Sequence, residues 1–324
     1  MRGGIGTTAH PGAVPGGTGA APARRGSETT VTGPAGPPAR FEEERSAEIV
    51  AASFARTADP RLREVLTALV GHLHAFVKDV GLTPEEWARG IRFLTETGQT
   101  CDDTRQEFIL LSDVLGVSML VDALAHPAGD GVTESTVEGP FHLVASPARE
   151  PGDSIVEAGD GEPCLVTGRV LDTAGVPVAG AAVDVWQADA DGFYDVQRPG
   201  EVPRDNLRGV FPTDAEGRFR FRTIVPRWYP IPDDGPVGRL LAATGRHPNR
   251  PAHLHVEVTG PGIRTLTTHV FVSDSPYLDS DAVFGVRARL VRDFVRVDDP
   301  ARAAEAGLPS PFRWLDFPVT VRRT

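Results

Sequence analysis

The apolar residues of this chain follow two different periods, and the change falls at Pro127. Before it they recur at three- and four-residue spacing: Leu62, Val65, Leu66, Leu69, Val70, Leu73 and Phe76. That spacing places them on one face of an amphipathic helix. After it, short β-branched runs alternate with Gly, Pro and Asp turns, which is typical of antiparallel strands. The sequence therefore predicts an α+β protein with its helices first.

Three helix starts can be placed in the first part. Pro60 opens one helix. The next begins at Thr83, which can cap it, with Pro84 at its first position and Glu86 completing a capping box. A further buried helix is expected to begin near Asp103. Its apolar residues are Phe108, Leu111, Leu115, Met119 and Leu120.

Five strand-like runs follow Pro127, separated by turn signals such as Ala174-Gly175. The runs cover residues 165–170, 182–186, 218–225, 252–258 and 265–272. Their spacing predicts an antiparallel sandwich or barrel. We therefore predict a helical region at 41–132 and a β-sandwich domain at 133–324. Residues 1–40 are rich in Gly, Pro and Ala and nearly free of large apolar side chains, which predicts a disordered extension.

The composition excludes several classes of partner. The formal net charge of -11 argues against nucleic acid or an anionic membrane surface. Two cysteines are too few for a disulfide framework or a zinc–thiolate cluster, and they fit a reducing cytoplasm. No apolar run approaches the ~20 residues of a membrane span. We expect a cytoplasmic protein that binds a small molecule.

Two tyrosines and a His-x-His triplet suggest metal chemistry. Tyr194 and Tyr229 each follow a predicted strand, and His253 and His255 alternate on another, so the two imidazoles would share one face. Phenolate favours a ferric ion, and imidazole is a common iron ligand. The alternative is that both tyrosines anchor loops with their hydroxyls satisfied. An H-x-H pair alone does not decide between these readings.

The surrounding sequence resembles the intradiol ring-cleaving dioxygenases, which are non-haem ferric enzymes. The resemblance lies in Val183-Asp-Val-Trp-Gln-Ala188, Asp191-Gly-Phe-Tyr194, Arg222-Thr-Ile-Val-Pro226 and the segment from Gly245 to His255. Thr133-Glu-Ser-Thr-Val-Glu-Gly-Pro-Phe141 is similar to the family's entry into its catalytic half. The resemblance to the family extends from about Glu42 to Phe317 and so covers both the helical and the β regions.

The resemblance implies roles for five residues. Tyr194, Tyr229, His253 and His255 would bind Fe(III), with Tyr229 leaving the metal and taking a proton when the diol binds. Arg250 would face the bound ring and stabilise charge that develops on it. Helices near the N-terminus would pair two copies into a homodimer. Some relatives also hold a phospholipid in an apolar tunnel at that interface.

Two segments, 101–120 and 266–285, resemble the branch of the family that cleaves hydroxyquinol to 3-hydroxy-cis,cis-muconate and thence maleylacetate. In that branch Asp113 would accept a hydrogen bond from the third ring hydroxyl, a contact that catechol lacks. His269 stands where catechol enzymes usually have glutamine, and it is expected to line the cavity. The remaining expected pocket residues are Leu110, Val137, Gly139, Pro140, Phe141, Ile231, Pro232 and Val283.

Three rival interpretations stay open. A catechol or chlorocatechol 1,2-dioxygenase would share the metal ligands. A non-catalytic sandwich module would resemble segment 166–181 and would need neither the tyrosines nor the histidines. Zinc bound by His253 and His255 would not use the paired tyrosines. His142 is expected to have a structural role, and His247 is left unassigned.

Overall fold

The structure is a computed structural model that describes residues 40–102, 105–127, 129, 131–143 and 146–324. The predicted disordered extension, apart from Arg40, lies outside these residues. Packing divides the chain between Leu82 and Thr83 into two compact units. The sequence-based boundary at 132/133 instead follows the change from helix to strand.

The described part of the first unit contains two α-helices. Helix α1 covers Ser46–Ala52 and α2 covers Pro60–Val80, so the predicted start at Pro60 is confirmed. The carboxylate of Asp59 accepts hydrogen bonds from two backbone N–H groups of the first turn of α2. Gly81 ends α2 in the left-handed conformation, with a φ of 58° that favours glycine.

The second unit begins with three helices: α3 (Pro84–Thr100), α4 (Glu107–Val114) and α5 (Val117–Ala125). The predicted capping box of α3 is confirmed. The Thr83 side chain accepts from the backbone N–H of Glu86, and the Glu86 carboxylate accepts from that of Thr83. Two short helices occur later in the chain: α6 (Pro236–Ala243) and α7 (Pro300–Ala306).

The prediction of one continuous helix from near Asp103 is wrong. Asp103 lies outside the described residues, and α4 and α5 are two helices bent by 77°. The break falls at Gly116, whose φ of 71° ends α4. Leu111 and Met119 are buried as expected, but Phe108, Leu115 and Leu120 are 47%, 60% and 59% exposed. Among the described residues no single helix could span a membrane by length and apolar content, although α4 and α5 together reach that threshold.

Twelve strands lie in the described part of the second unit. The first six are β1 (Pro163–Asp172), β2 (Ala182–Gln187), β3 (Arg208–Pro212), β4 (Arg218–Ile224), β5 (Tyr229–Pro230) and β6 (Asn249–Arg250). The last six are β7 (His253–Thr259), β8 (Leu266–Val272), β9 (Val291–Arg292), β10 (Val295–Val297), β11 (Phe312–Asp316) and β12 (Val319–Val321). All five predicted strands are present, as β1, β2, β4, β7 and β8.

The strands form two five-stranded sheets and one short ribbon. In the first sheet β1 pairs with β4 on one side and with β11 and β12 on the other. The second sheet has the order β3-β2-β7-β8-β9, and β5 pairs with β6. Most pairs are antiparallel, as predicted. However, β1 pairs in parallel with β11 and β12, which reach it after a long stretch of intervening chain, and β8 pairs in parallel with β9.

The main core lies between the two sheets. Val166 and Val170 of β1 are buried with Val183 and Val185 of β2, and with Val256 of β7. Along each of these strands the alternate residues therefore point away from this core. On β7 those residues are His253 and His255, which places them on the opposite face of the second sheet.

Candidate metal centre

Strand β7 presents both histidines on one face. Leu254, Val256 and Val258 point into the core, while His253 and His255 are each only 1% exposed on the other side. Their Nε2 atoms lie 3.1 Å apart. His253 and His255 thus lie on the same face of β7, as strand alternation predicts.

Tyr194 lies in the long connection after β2, and two carboxylates hold that connection in place. Asp189 accepts hydrogen bonds from the backbone N–H groups of Asp191 and Phe193. Asp195, the next residue after Tyr194, forms an ion pair with Arg208 of β3 at 2.6 Å, and both side chains are 1% exposed. The tyrosine is therefore fixed on one side by a turn and on the other by a buried ion pair.

Tyr229 begins β5 and lies opposite Arg250 of β6 in register. A turn at Gly192 brings the Tyr194 connection against it. A Cβ at Gly192 would lie 3.0 Å from the carbonyl oxygen of Trp228 and 3.2 Å from the Cβ of Tyr229. With a φ of 90°, this position requires glycine for both conformation and space.

The donor atoms of the two tyrosines and two histidines form a closed ring. Tyr194 Oη lies 2.9 Å from His255 Nε2 and 3.4 Å from Tyr229 Oη. His253 Nε2 lies 3.1 Å from His255 Nε2 and 3.5 Å from Tyr229 Oη. Ligand atoms about 2.1 Å from one metal ion lie about 3 Å apart when at right angles. The spacing therefore fits a single metal ion bound by all four side chains.

The protonation of the histidines also fits a metal. Burial, together with the nearby Arg250 guanidinium, lowers the pKa of His253 to about 3. Burial and the neighbouring imidazoles lower the pKa of His255 well below its usual range. Both rings are therefore neutral at physiological pH, which is the form that binds metals. His253 Nδ1 lies 2.7 Å from the carbonyl oxygen of Pro251, so its proton sits there and Nε2 offers a lone pair.

The phenol of Tyr194 is equally buried, at 1% exposed. Burial raises its pKa well above the usual range, and the neighbouring Tyr229 adds to this effect. A phenolate at this position consequently requires a compensating positive charge. A trivalent cation within the ring of donor atoms would supply that charge.

Aromatic rings surround the donor atoms. Trp186 is fully buried and stacks on His255 with ring centroids 4.7 Å apart. Phe141 stacks on Tyr194 at 4.5 Å and meets Tyr229 edge-on at 6.3 Å. Gly139 also lies against this group, since a Cβ there would be 3.3 Å from Cε1 of His255. These contacts pack against three of the four side chains: Tyr194, Tyr229 and His255.

Arg250 lies beside the ring of donor atoms, with its Nη1 3.3 Å from His253 Nε2. Its Nε donates to Asp281 at 3.1 Å, and the two side chains are 3% and 2% exposed. Burial opposes the charge on the arginine. The carboxylate of Asp281 outweighs that effect and raises the pKa of Arg250 above its usual range. A permanent cation thus stands next to the candidate centre.

Asp281 was not identified from the sequence. Its carboxylate also accepts hydrogen bonds from the backbone N–H groups of Val283 and Gly285. A Cβ at Gly285 would lie 2.9 Å from the Arg250 guanidinium. Asp281 additionally lines a cavity of about 400 Å³ with Arg246, His247 and Phe284. No local motif marks this role, because it depends on a contact across 31 residues.

Three of the expected pocket residues lie in one apolar cluster: Leu110, Ile231 and Val283. Asp113, on the same helix as Leu110, is 9% exposed. Burial raises the pKa of Asp113, while the Ser118 hydroxyl and the Arg250 charge oppose that rise. Asp113 is therefore within electrostatic reach of the arginine.

The other expected pocket residues are less closely connected with the ring of donor atoms. Val137 lines a cavity of about 490 Å³ with Glu138 and Thr267. Pro140 is exposed, and Pro232 is half-buried beside Ile231.

Two further histidines take different positions. His269 is fully buried on β8, and its Nε2 lies 2.9 Å from Nδ1 of His255. Its nitrogens cluster with those of His253 and His255 within 4.8 Å. The ring nitrogens of His142 lie close to carboxylate oxygens of Glu138 and, at 3.6 Å, of Asp184, and the ring packs on Trp186. Among the described residues, the metal-type cluster does not include His142.

Comparison with known proteins agrees with this arrangement. A family model described as "Dioxygenase" matches residues 137–312, and one described as "Catechol dioxygenase N terminus" matches residues 59–133. The two matches meet close to the change from helices to strands. Together they cover most of the described chain.

Individual relatives are similar over nearly their whole length. A hydroxyquinol 1,2-dioxygenase from Rhizobium sp. (strain MTP-10005) is 56% identical over 85% of this chain and 93% of its own. A 6-chlorohydroxyquinol 1,2-dioxygenase from Cupriavidus pinatubonensis is 55% identical over 80% of this chain and 94% of its own. The solved hydroxyquinol 1,2-dioxygenase from Pseudomonas putida DLL-E4 gives a TM-score of 0.82 at 47% identity, over 87% of this chain and 99% of that one. The chain therefore belongs to the intradiol ring-cleavage dioxygenases, a family of oxidoreductases.

Proposed function

We propose that this protein is a non-haem Fe(III) dioxygenase that cleaves hydroxyquinol with O2 between its adjacent hydroxyls. The product would be 3-hydroxy-cis,cis-muconate, which tautomerises to maleylacetate. The observation that carries the proposal is the closed ring of two phenol oxygens and two imidazole nitrogens, 2.9–3.5 Å apart. The substrate is inferred from the hydroxyquinol and chlorohydroxyquinol relatives.

Tyr194, Tyr229, His253 and His255 would hold the iron. Two hard phenolate oxygens favour a ferric ion over zinc, and the burial of Tyr194 demands a strong compensating charge. When bound, ferric iron supplies a Lewis acid that favours the ionised forms of the diol and of the phenols. The neutral imidazoles of His253 and His255 add ligands without adding charge.

Tyr229 is the residue in this set best suited to accept a proton. Its Oη has the two longest separations in the ring of donor atoms, 3.4 Å to Tyr194 and 3.5 Å to His253. A phenolate that is held less tightly can turn away and take one proton of the incoming diol on Oη. Tyr194, whose Oη lies 2.9 Å from His255, would remain in place.

Arg250 would act on the substrate ring rather than on the metal ligands. Its guanidinium is buried, permanently charged and fixed by Asp281. Negative charge that develops on the ring during attack by O2 would be stabilised by this preorganised cation. Because it is fixed in advance, little reorganisation is needed during the reaction.

Asp113 would select hydroxyquinol over catechol. It is a buried acceptor next to Leu110, in the region where Ile231 and Val283 also pack. A hydroxyl on the substrate opposite this carboxyl would satisfy a polar group that catechol leaves unpaired. Leu110, Ile231 and Val283 would contact the apolar faces and edges of the ring.

A visible spectrum of the purified full-length protein tests the proposal. We expect a wine-red protein with a phenolate-to-iron absorption band that changes when hydroxyquinol is added without oxygen. Admission of oxygen should then consume one equivalent of O2 and yield the ring-opened acid. A colourless protein without iron would overturn the proposal and favour a non-catalytic sandwich module.

The choice of diol is tested separately by comparing kcat/KM for hydroxyquinol, 6-chlorohydroxyquinol, catechol and a chlorocatechol. Hydroxyquinols should be preferred by at least tenfold, since one charge-assisted hydrogen bond contributes about 1.5–3 kcal/mol. An equal or greater value for catechol would support the catechol 1,2-dioxygenase alternative instead. Neither outcome of this comparison tests the proposed metal centre.

We further propose that the protein is a homodimer formed through its N-terminal helices, with region 41–132 serving dimerisation and 133–324 catalysis. Helix α2 supports this, because it leaves one apolar stripe exposed on the single chain. The stripe consists of Leu62, Val65, Leu69, Leu73, Phe76 and Val80, each 44–54% exposed. Bound phospholipid and a cytoplasmic location stay predictions.

A further inference from the structure

His269 makes a contact that its expected place in the substrate pocket does not explain. It lies directly opposite His255 in the register of β7 and β8. The two rings are 4.2 Å apart, and His269 Nε2 lies 2.9 Å from His255 Nδ1. Both side chains are at most 1% exposed. The contact thus joins His269 to the side of His255 that faces away from the ring of donor atoms.

The proton positions in this pair follow from the geometry. Nε2 of His255 belongs to the ring of donor atoms, 2.9 Å from Tyr194 Oη. An imidazole that binds a metal through Nε2 must carry its proton on Nδ1. His255 therefore donates from Nδ1, and His269 accepts on Nε2. The proton of His269 then lies on its own Nδ1.

That Nδ1 is buried and has no hydrogen-bond partner within the described structure. An unpaired buried N–H group is unfavourable, and an apolar side chain at position 269 would avoid it. A residue present for packing alone would not carry this cost. The hydrogen bond that His269 accepts from His255 explains why an imidazole occupies this position.

His253 shows the same arrangement with a different acceptor. Its Nδ1 lies 2.7 Å from the backbone carbonyl oxygen of Pro251, which no side-chain substitution removes. His255 relies instead on the side chain of His269. The orientation of one candidate ligand is thus fixed by the backbone and that of the other by a replaceable residue.

We propose that His269 is a positioning residue that holds His255 as the Nδ1–H tautomer and so presents its Nε2 to the metal. This inference rests on the proposed metal-binding role of His255. In this proposal His269 orients the metal-binding residue His255 and does not contact the substrate. Partners of this kind orient ligating histidines and raise their basicity.

Two substitutions of matched size separate hydrogen bonding from packing. His269→Gln keeps an acceptor oxygen, whereas His269→Met has nearly the same length and volume but no strong acceptor. The measurement is the rate at which the full-length iron-loaded protein loses its visible absorption band to excess EDTA. We expect His269→Met to lose iron about 10–100-fold faster than the wild type, the usual effect of removing such a partner. His269→Gln should remain close to the wild type.

Phe271→Leu is the packing control, because Phe271 contacts the rings of His253 and His269 without a hydrogen bond to either. It should lower the melting temperature but leave the rate of iron loss nearly unchanged. The inference is overturned if His269→Met loses iron no faster than the wild type. It is also overturned if Phe271→Leu or His269→Gln loses iron as fast as His269→Met. Should His269→Met fail to fold, His269→Leu, which also lacks an acceptor, takes its place and should lose iron about 10–100-fold faster than the wild type. A colourless wild type would instead refute the proposed function.

Discussion

At the scale of single residues, the candidate site is built from buried polar groups whose partners are specific. Arg250 illustrates this, since its charge is tolerated at 3% exposure only because Asp281 lies beside it. The pair does not serve stability alone. A buried ion pair is often no better than apolar residues of the same size, but the loss of one partner is costly.

Asp281→Asn should therefore affect both stability and turnover. The substitution leaves Arg250 buried without its counter-charge, so we expect a loss of about 3–5 kcal/mol in unfolding free energy. Because the guanidinium is then less well positioned, kcat should fall more than KM rises. Urea denaturation and steady-state kinetics measure the two effects. Glu64→Gln on α2, which removes an exposed pair with Arg61, is the control and should change neither. Normal turnover by Asp281→Asn would contradict a positioning role.

Asp113 should determine which diol is preferred. Asp113→Ala removes the proposed acceptor for the third hydroxyl, so kcat/KM for hydroxyquinol should fall about 10–100-fold, equivalent to one charge-assisted hydrogen bond. The value for catechol should change much less, because catechol has no hydroxyl to pair there. Parallel assays of both substrates measure this difference. Equal losses on the two substrates would show that Asp113 has a structural role only.

The same residue should impose a pH-dependent cost on folding. Burial raises the pKa of Asp113, so the folded state favours its protonated form. Its favourable contribution is complete below the unfolded pKa and is lost as the pH rises through the higher folded pKa. Asp113→Asn cannot ionise. The difference in melting temperature between Asp113→Asn and the wild type should therefore grow as the pH rises through the folded pKa of Asp113 and level off above it. A difference that is constant with pH would contradict this linkage.

At the scale of elements, helix caps and the five long strands could be predicted because their signals are local. Pro60 and the box from Thr83 to Glu86 mark helix starts within four residues. The break at Gly116 has no such local signal, since apolar residues continue across it with helical spacing. The pair β5 and β6 cannot be predicted from a period, because each strand has only two residues.

The candidate ligands could likewise be predicted from the sequence, but the residues that hold them in position could not. Tyr194, Tyr229, His253 and His255 carry distinctive chemistry within recognisable motifs. Asp281 and Asp195 act through partners 31 and 13 residues away, and no sequence period reports such contacts. The sequence marks His269 as unusual at its position, but its contact with His255 depends on the register between β7 and β8.

Asp195 is one of these positioning residues, and it holds the connection between β2 and β3. Asp195 accepts from Arg208 at 2.6 Å and from the backbone N–H of Asp205 at 2.9 Å. Asp195→Asn should lower the unfolding free energy by about 3–5 kcal/mol, because it leaves a buried guanidinium without its charge partner. It should also shift the visible band, since Tyr194 is the adjacent residue. Asp191→Asn, whose carboxylate is 74% exposed, is the matched control. Equal denaturation midpoints for the two variants would contradict this function of the ion pair.

At the scale of the whole molecule, the exposed stripe on α2 is apolar surface that contacts within the described chain leave uncovered. Leu69 and Leu73 lie near its centre and are 49% and 51% exposed. Exposed apolar surface of this kind is typical of an interface between subunits. Burial of the stripe against a second copy would remove it from water without any change in the catalytic unit.

Leu69→Glu combined with Leu73→Glu should therefore convert the dimer into a monomer. Burying two carboxylates in an apolar interface is strongly unfavourable, so the variant should elute with the mass of one chain in light-scattering chromatography. Thr67→Glu adds a charge on the opposite side of the same helix, where it is exposed, and should leave the dimer intact. The visible band should persist in both variants, since all four proposed ligands come from residues 194–255. A double variant that remains dimeric would show that α2 is not the interface.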